Sequence, residues 1–279
     1  MIKALTLPLK SIDKIRITEP LSQIAEIRLR AGRPSVSVSV CGEMKTCSTV
    51  FTAEEIADCF AEICRYSVYS FEEEIAQGFV TLDGGHRVGI CGTAVTKNGK
   101  ITSFKDISGL NIRIAHQIYG CSDEVYKRVF SNGLRSLLLA GKPLCGKTTL
   151  LRDLARQLGE RHRVVLIDSR NELSGSVRGT PMLDVGLNTD VLCGAEKSEG
   201  IMLALRSLSP EIIICDEIGN DAAAVEQAVF CGVKVIASAH AGSLTELQRR
   251  PSTCGLVPLF ESVLVLGERE KMLEYRENG

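Results

Sequence analysis

Residues Arg135–Glu160 read RSLLLAGKPLCGKTTLLRDLARQLGE: an apolar run, a glycine-bounded turn and a helical pattern in immediate succession. Gly141, Gly146, Lys147 and Thr148 fit G-x-x-x-x-G-K-[ST], in which backbone N–H groups cradle phosphates and the lysine reaches their outer oxygens. The loop from Gly141 through Lys142, Pro143, Leu144, Cys145, Gly146 and Lys147 to Thr148 and Thr149 is the candidate nucleotide-binding segment. Glycines let the chain wrap an anion, and the following helix points unpaired N–H groups and its positive dipole end at the charge. The pattern alone arises by chance in roughly one chain in a hundred of this length. Its flanks make chance a poor account. Leu137–Leu139 suit a buried strand, and Leu150, Leu151, Leu154, Ala155 and Leu158 recur at helical spacing up to Gly159.

After this unit, strand and helix patterns alternate. Val164–Ile167, a helix from Ser198, Glu211–Asp216, a helix from Asn220 to Gly232 and Val233–Ser238 predict a mainly parallel sheet with crossover helices. Ser243 with Glu246 predicts a capping box, Pro251 closes that helix, and Ser262–Leu266 and Met272–Tyr275 are terminal strand candidates. Residues 174–200 show five glycines and little periodicity, which suits a subunit contact or a moving lid.

Upstream, EIRLRA and the strict alternation SVSVSV predict two paired strands. Thr52 and Glu55 predict a capping box opening a helix to about Arg65, and a second helix stops at Gly78. Phe79–Leu82, His86–Val95, Ile101–Phe104 and Leu110–Ala115 are predicted as successive strands, with a DGG turn after the first and Asn98-Gly99 as a type I′ turn. Ser122–Phe130 reads as a linking helix. The expected class is α/β: a P-loop domain over 121–279 preceded by a smaller α+β domain over 1–120.

Candidate chemistry sits at strand ends. Ile212–Cys215 ends in Asp216-Glu217, where Asp216 and Thr148 are placed to hold Mg²⁺ and Glu217 to orient and deprotonate water. Val164–Ile167 ends in Asp168, with Arg170 and Glu172 following, so Glu172 is the alternative base or else a salt-bridge partner of Arg170. Val233–Ser238 leads to His240, a candidate sensor of the bound nucleotide. Arg206, Arg113, Arg87, Arg28 and Arg30 are candidates for an arginine donated to a neighbouring active site, so a homo-oligomer, a hexameric ring, is expected.

Composition narrows the rest. A net charge of −1 and no Trp give no general pull toward nucleic acid and few stacking platforms. The eleven cysteines are scattered without C-x-x-C pairs, which predicts reduced thiols, with Cys91, Cys215 and Cys231 as small buried hydrophobes. No apolar run reaches spanning length and Met1–Lys10 lacks a long apolar core, so a cytosolic chain without direct membrane insertion is expected.

Taken together, EIRLRAGRP, FEEEIAQGFVTLDGGHRVGICGTAV, LNIRIA, GKPLCGKTTLLRDLAR, DVGLNTDVL, SEGIMLALRSLSPEIIICDEIG and VIASAHAGSL resemble the stage III sporulation protein AA family, RecA-like ATPases related to secretion and pilus motors. The resemblance implies a RecA-like carboxy-terminal domain, binding of ATP and Mg²⁺ at Lys147, Thr148 and Asp216, catalysis at Glu217 and a histidine-containing segment at His240. It further implies a mother-cell cytoplasmic ATPase that works with membrane proteins building a channel toward the forespore. Cys145 in the loop suggests thiol-sensitive activity, and DSRNEL at 168–173 is less acidic than this family's usual segment. Two other classes compete: a nucleic-acid-associated motor or binding module, which the charge disfavours, and a nucleotide-dependent structural platform with negligible turnover.

Overall fold

The structure, a computed structural model, describes residues 14–15, 20–65, 67–82, 85–143, 145–177, 179–267 and 272–278. Met1–Lys10, Asp83 and Gly84 of the expected DGG turn, and Leu144 of the phosphate loop therefore lie outside the described residues. By its contacts the chain divides into two compact units, Met1–His116 and Gln117–Gly279.

Among the described residues, the amino-terminal unit is an antiparallel sheet carrying two α-helices. Its strands are β1 (Ile24–Arg30), β2 (Pro34–Ser39), β3 (Met44–Val50), β4 (Phe79–Thr81), β5 (Arg87–Lys97) and β6 (Lys100–Arg113), ordered β3-β2-β1-β6-β5-β4. Between β3 and β4 lie α1 (Ala53–Ile63) and α2 (Glu72–Ala76). Thr52 caps α1 as expected: its side chain accepts from Glu55 N–H and the Glu55 carboxylate accepts from Thr52 N–H. Ile56, Cys59, Phe60 and Ile63 of α1 pack on Ile27, Leu29, Val88, Ile90, Leu110 and Ile112. Asn98 and Gly99, at φ of 52° and 75°, make the tight turn between β5 and β6.

One feature differs from the sequence reading, and another settles what that reading left open. Ile101–Phe104 and Leu110–Ala115 belong to one continuous strand, β6, whose pairing with β5 shifts register near Cys91/Thr93; Asp106, at φ 50°, absorbs the irregularity. In β2 it is the serines that face the core: Ser35 and Ser37 are buried while the valines are half-exposed. Ser37 pairs with Ile27 and so shares its inner face, whereas Val36 pairs with Arg28 on the other.

His86 supplies a pH dependence. It is buried, and its Nδ1 accepts the Ala115 N–H at 3.0 Å, a bond that requires the ring neutral at that nitrogen. Burial, with His116 adding repulsion, pushes its pKa down to about 4 from 6.5. The unfolded chain therefore binds the proton more readily. The stabilisation, about 3 kcal/mol, is complete above pH 6.5 and drains away as pH falls toward 4. Urea unfolding of the wild type between pH 4 and 7 should show this slope, and His86→Asn, which keeps an acceptor but cannot titrate, should flatten it.

The carboxy-terminal unit begins with α3 (Asp123–Phe130) and then builds a sheet from β7 (Leu137–Gly141), β8 (Val164–Asp168), β9 (Thr189–Cys193), β10 (Ile212–Cys215), β11 (Lys234–His240), β12 (Ser262–Leu266) and β13 (Met272–Glu277). The order is β13-β12-β7-β11-β10-β8-β9, parallel throughout except for antiparallel β13 at one edge. The helices are α4 (Lys147–Gly159), α5 (Lys197–Ser207), α6 (Ala222–Phe230), α7 (Leu244–Arg249) and α8 (Pro251–Cys254). Leu137 and Leu139 of β7 pack with α3 and α4, while Leu138 and Ala140 pack with α5 and α6. Burial on both faces explains the unbroken apolar runs.

Several local readings change here. The segment 174–200 contains β9, an unpredicted edge strand parallel to β8. Ser243 accepts from Glu246 N–H, but the Glu246 carboxylate turns to Gly242 N–H, so the capping box is half formed. Pro251, beyond the end of α7, also opens α8 as its first residue. All eleven cysteines are free; Cys215 is buried, but Cys91 and Cys231 are exposed. Cys91 projects from the sheet face away from α1, and Cys231 lies just past the end of α6, so an apolar local sequence does not bury either. Among the described residues no helix is long and apolar enough to cross a membrane.

Candidate nucleotide site

Three parallel strands, β7, β10 and β11, end beside one another, and their tips carry the candidate residues. β7 runs into the loop and α4. Gly146 has φ 100°, a left-handed conformation that favours glycine, and no side chain caps α4, leaving its first N–H groups for an anion. A Cβ on Gly141 would lie 2.4 Å from Cys145 Sγ, so the loop closes only over a glycine. Cys145 is consequently buried, which shields the thiol expected to confer reagent sensitivity.

Lys147, at the start of α4, is buried and donates from Nζ to the carbonyls of Gly141 and Lys142, both at 3.0 Å. The same ammonium lies 3.2 Å from His240 Nδ1. Nδ1 is then the acceptor, which places the imidazole proton on Nε2, where it is shared with Glu217 Oε1 at 3.0 Å. Glu217 Oε2 accepts from Arg170 at 2.6 Å. One polar chain thus runs from loop lysine through His240 and Glu217 to Arg170.

The acidic tip of β10 is held in place from two sides. Thr148 Oγ1 donates to Asp216 Oδ2 at 2.7 Å, and Ser238 Oγ of β11 donates to Asp216 Oδ1. Ser238 Oγ also accepts the Glu217 N–H at 2.9 Å, and its carbonyl accepts Ile218 N–H at 2.8 Å. These bonds fold the chain back at Glu217, a non-glycine residue at φ 48°. Such backbone costs about 1–3 kcal/mol and persists only where neighbours enforce it. Thr148 and Asp216 therefore present two hard oxygen donors together, while Glu217 is aimed separately.

The loop after β8 is organised by Asp168, whose carboxylate accepts the N–H groups of Glu172, Leu173 and Ser174 and the Ser174 hydroxyl. Buried Arg152 of α4 donates to the carbonyls of Glu172 and Leu173, each at 2.6 Å. Arg170, Glu172, Lys197, Asp216 and Glu217 consequently line one small cleft. Arg170, the alternative salt-bridge partner for Glu172, pairs with Glu217. His240 proves to be the last residue of β11, with its carbonyl held by Arg250, whose other nitrogen binds Glu246 at 2.5 Å. The phosphate-loop residues, Asp216, Glu217 and His240 are brought together, and Glu172 lies at the edge of the group.

Sequence reasoning missed Ser238, Arg152 and Arg250. A hydroxyl inside the apolar strand VIASA, beside a strand ending in Asp-Glu, was the available signal for Ser238.

The fold agrees with comparisons to known proteins. The family described as "Sporulation stage III, protein AA" matches residues 2–276. The Bacillus subtilis (strain 168) stage III sporulation protein AA is 40% identical over 238 residues, 82% of this chain and 77% of that protein. Among solved structures, the pilus retraction motor PilT with bound ADP superposes with a TM-score of 0.58 at 14% identity, covering 88% of this chain and 74% of that one. The Legionella pneumophila ATPase DotB gives 0.54 at 15% identity, covering 90% and 75%. These likenesses identify a RecA-like fold, and the sequence match over nearly the whole length identifies the chain as a member of the stage III sporulation protein AA family.

Proposed function

We propose that this chain is an ATP-hydrolysing motor whose catalytic domain is 121–279, with 1–120 as a separate amino-terminal domain. The observation that carries the reading is the meeting of Lys147, Thr148, Asp216, Glu217 and His240 at the ends of β7, β10 and β11. The residues suit MgATP. The loop closes on a bare Gly141, the uncapped start of α4 faces it, and a hydroxyl and a carboxylate form the oxygen donor set that Mg²⁺ prefers. Bound MgATP supplies the phosphoryl group and the dication that offsets its charge.

The chain's own residues do the rest. Lys147 Nζ exchanges the Gly141 and Lys142 carbonyls for phosphate oxygens. That movement leaves His240 Nδ1 without its donor, so the histidine reports occupancy to Glu217. Thr148 and Asp216 would hold the metal, and Ser238 keeps Asp216 fixed. A carboxylate oxygen of Glu217 accepts the proton of the attacking water, with Glu172 the competing base. A steady-state phosphate-release assay tests the reading. Magnesium-dependent turnover is expected, and nucleotide binding without turnover would favour a structural platform.

The assembly proposed is a hexameric ring in which a neighbour's arginine neutralises charge at the phosphates. Arg113 and Arg87 are the first candidates and Arg206 the alternative. Each of Arg113→Ala and Lys147→Ala alone should lose about 10³-fold or more in turnover. Mixing the two should restore part of it, because each subunit completes the other's defective site. Turnover per subunit should also rise with protein concentration, and a fully active monomer would rule the ring out. In its cell the motor would act in the mother-cell cytoplasm on membrane proteins of a channel toward the forespore.

A further inference from the structure

The pairing of β1, β5 and β6 assembles an arginine-lined cleft in the amino-terminal unit. Arg28 and Arg30 are two residues apart on β1, so both project opposite to the buried Ile27 and Leu29. Arg28 lies across from Asn111 of β6 and Arg30 across from Gly109, with Gly89 and Cys91 of β5 continuing the two rows. The turn into β2 adds Arg33 and is tied down: Ala31 N–H donates to Ser108 at 2.9 Å, Gly32 N–H to Phe51 at 2.8 Å and Arg33 N–H to Arg30 at 3.2 Å. Arg28, Arg30, Arg33, Asn111, Gly109 and Cys91 border a cleft of about 390 Å³, within the usual range for small ligands.

Its floor and walls each leave something for a ligand to supply. A Cβ on Gly109 would approach Leu29 O to 3.0 Å, so the floor there is bare backbone. Asn111 Oδ1 is, among the described residues, the buried side-chain oxygen or nitrogen atom without a hydrogen-bond partner. Such an orphan destabilises the fold. Arg28 is paired with Glu26, whereas neither Arg30 nor Arg33 has an ion-pair partner among the described residues. A complementary ligand must bring negative charge for the guanidinium forks, and a donor on it gives the shielded Asn111 oxygen a partner once the amide turns toward the cleft. A carboxylate offers two oxygens and one charge; a phosphate offers more of both to several forks at once.

We propose that this cleft binds a small phosphorylated group, with Arg30 and Arg33 on the phosphate and the Asn111 amide, its oxygen now shielded, turning to accept from a hydroxyl beside it. The cleft shares no residue with the phosphate loop, and the proposal stands whether or not the chain hydrolyses ATP. Glycerol phosphate has the required chemistry, either as a free metabolite or as the headgroup of phosphatidylglycerol.

The test is calorimetric titration of the full chain with glycerol 3-phosphate, alongside co-sedimentation with phosphatidylglycerol or phosphatidylcholine vesicles. Wild type and Lys147→Ala should bind glycerol 3-phosphate equally. Arg30→Gln with Arg33→Gln should weaken binding by about tenfold or more. Asn111→Leu should weaken it less and raise the unfolding midpoint, because a buried unpaired oxygen is removed. Selective pelleting with phosphatidylglycerol that glycerol 3-phosphate competes away supports the lipid source, and soluble binding without pelleting supports the metabolite. The proposal is overturned by absence of saturable binding, by binding that Lys147→Ala abolishes and the arginine pair does not, or by pelleting that glycerol 3-phosphate cannot compete. Preference for a glutamate-rich peptide overturns it too. So does a loss of ATP turnover in the arginine variant with phosphate binding intact, which would return these arginines to a neighbour's active site.

Discussion

Replacing Lys147 with alanine is expected to abolish ATP turnover and to weaken nucleotide binding by about 10- to 100-fold, the worth of one or two charge-assisted hydrogen bonds. The ammonium is the buried cation of the loop, and its partners in this structure are two loop carbonyls and His240. Alanine therefore removes the phosphate contact and the link from the loop to His240 together. The variant should still fold. Both apolar layers of the sheet are built from Leu, Ile, Val and Ala of the strands and helices, and Lys147 belongs to neither. The local cost is the loss of its bonds to the Gly141 and Lys142 carbonyls, about 1–3 kcal/mol against a whole-domain stability several times larger. Circular dichroism should be unchanged while filter binding of labelled ATP falls. Wild-type hydrolysis in the folded variant would remove the site from this loop altogether.

The legibility of this molecule in its sequence follows the range of the interactions involved. The loop and α4 were readable because strand, turn and helix are contiguous and each uses a distinct residue vocabulary. The tip of β10 was readable because three isoleucines and a cysteine run directly into two acids. Pairing across strands carries no comparable mark. Ser238 meets Asp216 only because β11 lies beside β10, and Arg170 chooses Glu217 over Glu172 because Asp168 and Arg152 fold the intervening loop. Alternation in β2 predicted a strand but not its phase, since period two is the same whichever face is buried. β9 was hidden because an edge strand of mixed residues, TDVLC, lacks the apolar run of its neighbours. β6 looked like two strands because Asp106 and Gly109 interrupt its pattern where the register shifts.

Glu217→Gln should hold MgATP with near-wild-type affinity yet hydrolyse it about 10²–10⁴-fold more slowly, the range a positioned general base contributes. The substitution is close to isosteric, but its amide has a single acceptor oxygen, so one of the two donors, His240 Nε2–H or Arg170, keeps its bond while the proton acceptor is lost. Asp216→Asn should behave differently. Its carboxylate is bonded to Thr148 and Ser238, so weakening it shifts the magnesium dependence upward and disturbs binding itself. Glu172→Gln is the decisive control. Glu172 N–H is bound to Asp168 and its carbonyl to Arg152, which fixes its backbone at the rim of the same cleft. If Glu172→Gln traps MgATP and Glu217→Gln does not, the base is Glu172, and Glu217 serves to hold Arg170 and His240. If only Glu217→Gln traps it, the strained backbone at Glu217 has a purpose. It turns one acid of an adjacent pair away from the metal ligand and toward the histidine, so that Asp216 and Glu217 perform separate tasks from consecutive positions.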